Sequence, residues 1–93
     1  MSASITKISK EFNISPEELT QKSLLAFLEH ELRLAEEDIA DIREKYLVAT
    51  RSQLETNIEN KKIYCHPAWE DLIAWENTEK HIDKLKKMIK AIK

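Results

Sequence analysis

Leu25-Ala-Phe-Leu28-Glu-His-Glu-Leu32-Arg-Leu-Ala35-Glu-Glu-Asp-Ile39-Ala-Asp-Ile42-Arg-Glu-Lys-Tyr46 is the stretch on which the fold turns. Leu25, Leu28, Leu32, Ala35, Ile39, Ile42 and Tyr46 recur at alternating intervals of three and four, an a/d seam held over three heptads. Charged side chains fill most of the other positions, so the helix must bury this stripe against another helix. The C-terminal third supplies a matching stripe, Trp75, Thr78, Ile82, Leu85, Ile89 and Ile92. The two seams predict an all-α fold, a long helical hairpin. Leu24, Phe27 and Leu34 lie beside the first seam and widen it, and a stripe that wide usually faces more than one helix.

Upstream, Ser15-Pro16-Glu17-Glu18 is a helix start: Ser15 caps, Pro16 occupies the first turn, and Glu18 completes a capping box. The first long helix is therefore expected over 16–46. Residues 1–14 carry Ile5, Ile8 and Phe12 on one face of a short helix, and Asn13 tolerates the left-handed conformation that ends such a turn. Downstream, Val48 and Thr50 are weak helix formers. Ser52-Gln53-Leu54-Glu55 reads as a second capping box, opening a short helix over 53–60 with Leu54 and Ile58 inward. Residues 60–67 form a connector in which Ile63 and Tyr64 tuck inward. Pro67 restarts the chain as a helix over 67–92, with Glu70 and Asp71 in a first turn where the dipole favours acid. The whole, 1–93, is one helical domain.

Composition agrees. The 93 residues include no glycine, which disfavours hairpin turns needing positive φ and hence a β fold. The net charge of −2 argues against bulk electrostatic binding of nucleic acid. Charge is nevertheless polarised: from Glu29 to Lys45 seven acidic side chains face three basic ones, and from Lys80 to Lys93 six lysines face one aspartate. Lysines at a helix C-terminus complement its dipole; the same patch would also suit an acidic partner or RNA. The one cysteine, Cys65, excludes an intramolecular disulfide and fits a reducing compartment. No apolar run approaches the roughly 20 residues that span a bilayer, and the N-terminus lacks the apolar region of a secretory signal. A cytoplasmic protein without membrane contact is expected.

No chemistry is legible. Helical di-iron sites need Glu-x-x-His, but Phe27, Ile63 and Thr78 stand three residues before His30, His66 and His81. Zinc-type Cys-x-x-Cys or His-x-x-x-His spacings are missing. Cys65 beside His66 is a poor nucleophile–base pair, because sequence neighbours seldom point at one another. The expectation is no enzyme, no cofactor and no metal. His66-Pro67-Ala68-Trp69-Glu70-Asp71-Leu72 places a tryptophan early in a helix, either covering exposed core or anchoring an interface. Ile8-Ser-Lys-Glu-Phe-Asn-Ile14-Ser-Pro-Glu-Glu-Leu19 is similar to the opening of a helix-turn-helix. The next helix, however, offers Leu24, Leu25, Phe27 and Leu28 where base-reading polar groups belong.

Ser15-Pro-Glu-Glu-Leu-Thr-Gln-Lys-Ser-Leu-Leu-Ala-Phe-Leu-Glu-His-Glu-Leu32 with His66-Pro-Ala-Trp-Glu-Asp-Leu-Ile-Ala-Trp-Glu76 resembles small helical proteins of archaea and bacteria. Some of these look like antitoxins of toxin–antitoxin modules. The resemblance implies a non-catalytic protein that neutralises a partner, a toxin, with amphipathic helices; no ribbon-helix-helix reader accompanies it. Two other readings stand beside it: a self-associating coiled-coil adaptor, and a DNA-binding regulator. The wide stripe leads us to expect a homodimeric helical bundle. Its dimer or partner interface is expected at Leu25, Leu28, Leu32, Ile39, Ile42, Trp69, Trp75, Ile82, Leu85 and Ile89.

Overall fold

The computed structural model describes residues 3–63 and 65–93. Among these the chain forms α1 (Ala3–Glu11), α2 (Pro16–Tyr46), α3 (Arg51–Glu59) and α4 (Cys65–Ile92), with no strand. The expectations for Tyr64 and for the Cys65 thiol fall outside the described residues.

Both seams come out as read. On α2, Leu28, Ala35 and Ile39 are buried and Leu25, Leu32, Ile42 and Tyr46 half-buried. On α4, Trp75 and Leu85 are buried and Thr78, Ile82, Ile89 and Ile92 half-buried. The two helices pack antiparallel on these faces, making a hairpin 60 Å long and only about 20 Å across. Its Cα radius of gyration is 19.3 Å, against about 12 Å for a compact chain of this length. Gln21 Nε2 donates to the Ile92 carbonyl at 3.0 Å near one end, and Lys45 Nζ lies 2.8 Å from Asp71 Oδ2 near the other. These contacts fix the register.

The rod is unequal along its length. At one end α3 lies mainly against α4, and Leu54, Ile58 and Val48 join Ala68, Leu72, Trp75 and Ile39 in the core. Beyond it a two-helix stalk runs to the far end, where α1 folds back against α2.

Several local readings are corrected. The second capping box is Thr50 with Gln53, not Ser52 with Glu55, so α3 begins two residues earlier than expected and ends at Glu59. Thr50 takes the extended backbone a cap needs, and its side chain accepts from the Gln53 amide while Gln53 bonds back. At the first start only half of a box forms. Ser15 Oγ accepts from the Glu18 amide at 3.0 Å, while the Glu18 carboxylate reaches forward to Lys22 at 3.4 Å. α4 begins at Cys65 rather than 67, leaving Pro67 in the first turn where no donor is lost and Trp69, Glu70 and Asp71 beyond it.

α1 is also rotated from its expected face. Ser9 is buried and Ile5 half-buried, whereas Ile8 and Phe12 are exposed. A small serine allows close approach, and its hydroxyl is satisfied by the Thr6 carbonyl at 2.9 Å.

The missing glycines do not prevent positive φ. Asn13, Leu47 and Lys61 sit at φ 55°, 54° and 59°, just past the ends of α1, α2 and α3. All three terminators share one hydrogen-bond pattern. Asn13 donates to Lys10 and Ile14 to Ser9; Leu47 to Glu44 and Val48 to Arg43; Lys61 to Ile58 and Lys62 to Asn57. This is the Schellman closure, built here on non-glycine residues.

Candidate interaction surface

The α3 end is tied down by polar contacts over a buried indole. Trp75 is 1 % exposed, and its Nε1 has no hydrogen-bond partner among the described residues. The Arg43 guanidinium lies 5.6 Å from the indole centroid while its Nε donates to the Ala49 carbonyl at 2.9 Å, joining α2 to the entry of α3. Arg51 spans from α3 to Glu79 at 2.9 Å and Glu76 at 4.0 Å on α4.

Asp71 accepts from both Lys45 Nζ and the Tyr46 hydroxyl. The Lys45 hydrogen bond, then the Tyr46 one, hold its carboxyl below the ordinary range. Partial burial, and then donation to Asp71, push the Tyr46 phenol up; the bond to Asp71 raises Lys45. This is a brace between α2 and α4, with its carboxylate already engaged.

Below α3, Glu36, Ile39, Arg43, Glu79, Ile82 and Asp83 line an open notch of about 400 Å³. Its carboxylates do not converge: among the described residues no three His, Cys, Asp or Glu side chains are placed to hold a metal ion. Among the described residues no helix is long and apolar enough to cross a membrane.

The other flank of the hairpin differs. At about 100° per residue, Leu24, Phe27, Glu31, Leu34 and Asp38 form one row on α2. Asn77, His81, Lys84 and Met88 form one on α4. Both rows lie on the side of the seam away from Arg43, Leu72 and Glu79, which face α3. Leu24, Phe27 and Leu34 are 51 %, 60 % and 42 % exposed, and Met88 is 45 % exposed. The short helix does not cover Leu24, Phe27 and Leu34, because α3 packs mainly against α4 and on the opposite flank. Covering a large apolar side chain fully is worth roughly 1.5–3 kcal/mol, so this row is a costly surface for an unaccompanied chain. At its outer end Thr20, Gln21, Leu24 and Ile92 border an open groove of about 420 Å³.

The residues expected at an interface divide sharply. Leu25, Leu28, Leu32, Ile39 and Ile42 on α2, and Trp75, Ile82, Leu85 and Ile89 on α4, are buried or half-buried within one chain along the α2–α4 seam. Only Trp69, 48 % exposed beside exposed Ile73, remains open at the α3 end. The two tryptophans therefore have separate fates, Trp75 in the core and Trp69 at the surface. The sequence signal for the exposed row was present in Leu24, Phe27 and Leu34. Met88 and the notch have no comparable signal, because their neighbours come from other helices.

The chain matches the Uncharacterized protein MJ0235 family over residues 1–93, and it belongs to that family. No curated protein and no solved structure matches it.

Proposed function

We propose that this protein is a non-catalytic interaction module that docks another protein chain along the flank bearing Leu24, Phe27, Leu34 and Met88. Its mode of action is antitoxin-like, masking a partner by laying amphipathic helices against it. One observation carries the reading: large apolar side chains stand exposed in register along one side of the two-helix stalk. Scattered surface leucines need no explanation, but several large apolar side chains gathered on one helix face and interspersed with charge fit a protein contact. Glu31 and Asp38 supply that charge on α2, and His81 and Lys84 on α4. The self-associating adaptor is the second reading, favoured by the opposite charges of the two rows.

A photo-crosslinking residue at Phe27, expressed in the native cell, tests the docking face. We expect one discrete adduct that disappears when Leu24→Asp is added, while the helical circular dichroism signal persists. Equal adduct yield with and without Leu24→Asp would refute the assignment of this face.

A further inference from the structure

We infer that the occupant of this flank is a second copy of the chain, seated with the same ends together so that α2 of one copy lies along α4 of the other. The inference rests on the docking face proposed above and, of the two readings given for it, takes the self-associating one.

The register of the hairpin carries it. Gln21 is level with Ile92 and Lys45 with Asp71. Counting equally along both helices, Leu24 is level with about residue 89, Glu31 with about 82 and Leu34 with about 79. The α2 row thus runs apolar, apolar, acidic, apolar, acidic from Leu24 to Asp38. At matching heights the α4 row presents Met88, then basic Lys84 with His81, then polar Asn77.

A two-fold axis parallel to the rod places each α2 row over the other copy's α4 row at the same height. Leu24 then meets Met88, and Glu31 meets Lys84 and His81, twice over by symmetry. An axis crossing the rod near Glu31 instead places α2 over α2. Glu31 would face Glu31, and Leu24 would face Asp38. That arrangement opposes like charges and sets an apolar side chain against a carboxylate, a juxtaposition that excludes wrong pairings. The stalk becomes a four-helix bundle over the length where each chain has only two helices, with α3 on the outer sides.

Sedimentation equilibrium at micromolar concentration, with a spin label at Leu47→Cys in a Cys65→Ser background, tests this. Leu47 is 89 % exposed at the end of α2, so the label disturbs no core. We expect a dimer of the 10.9 kDa chain. Its label-to-label distance should be below about 35 Å, because the labelled ends coincide and only the width of the bundle separates them. The crossed arrangement would give about 50 Å, since Leu47 stands 16 residues beyond Glu31 in each copy, at 1.5 Å per residue. Glu31→Lys should weaken the dimer about tenfold, and adding Lys84→Glu should restore it.

A distance near 50 Å overturns the inference, and so does a charge reversal that Lys84→Glu fails to rescue. A monomer that still forms the Phe27 adduct in the cell overturns the second copy but leaves the docking face standing. A monomer whose adduct is indifferent to Leu24→Asp removes both.

Discussion

At the scale of single residues, the α3 end rests on Trp75. Its indole is fully enclosed and its Nε1 lacks a hydrogen-bond acceptor among the described residues, so ring burial and an unsatisfied donor act in opposite directions. Trp75→Ala leaves a large cavity and should destabilise by about 3–5 kcal/mol. Trp75→Phe removes the orphan N–H, whose burial costs about 1–3 kcal/mol, along with part of the ring. Chemical denaturation should therefore find it far milder, within about 1.5 kcal/mol of the parent; a loss equal to that of alanine would refute this account of the indole.

The Tyr46–Asp71–Lys45 brace makes a pH prediction. The folded Asp71 carboxyl titrates below its unfolded counterpart, so its contribution is complete above about pH 4 and is lost as pH falls through the lower folded value. Tyr46 and Lys45 titrate above theirs, so their contributions hold below about pH 10 and vanish as pH rises further. Melting curves should show a plateau near neutrality and losses at both extremes. In Asp71→Asn the acid limb should flatten. Tyr46→Phe removes one charge-assisted bond and should cost about 1.5 kcal/mol at neutral pH.

At the scale of elements, the helix ends tell what a sequence announces and what it leaves open. Ser15 and Pro16 start α2 where expected because capping is local, decided within four residues. Two candidate boxes overlap near residue 52, and Thr50 with Gln53 prevails over Ser52 with Glu55. The earlier start follows Val48, whose buried side chain pulls the connector against Ile39 and Leu54. Thr50→Ala should destabilise by about 1 kcal/mol and Ser52→Ala by almost nothing, as measured by urea titration. The glycine-free terminators give a prediction of opposite sign. Leu47 holds φ 54° with its side chain 89 % exposed, so it bears the left-handed strain and loses little packing on replacement. Leu47→Gly should raise stability by about 1 kcal/mol, visible as a higher melting temperature. A lower melting temperature would mean that the exposed leucine makes a contact outside this chain.

At the scale of the molecule, the rod places its stabilising core at one end. Val48, Leu54, Ile58, Ala68 and Trp75 enclose one another there, while the stalk relies on the two seams, with α1 packed on α2 at its far end. Hydrogen exchange should therefore be slowest in α4 around Leu72–Trp75 and faster around Leu25 and Ile89. For the dimer inferred above, dilution below its dissociation constant should widen this difference, because a bundle formed by the two stalks would come apart first.

Periodicity determined the helices and the inner faces of both long ones, since a repeat of three and four survives in any all-helical packing of the chain. Local chemistry determined the start of α2. The tertiary structure alone decided that the seams pair within one chain, that α3 chooses the flank of Glu79 over that of Phe27, and that Ser9 rather than Ile8 faces inward. A helix's own residues specify which of its sides is apolar. Which neighbour covers that side depends on loop reach, register and competition among several apolar faces, quantities that belong to no single stretch of the chain.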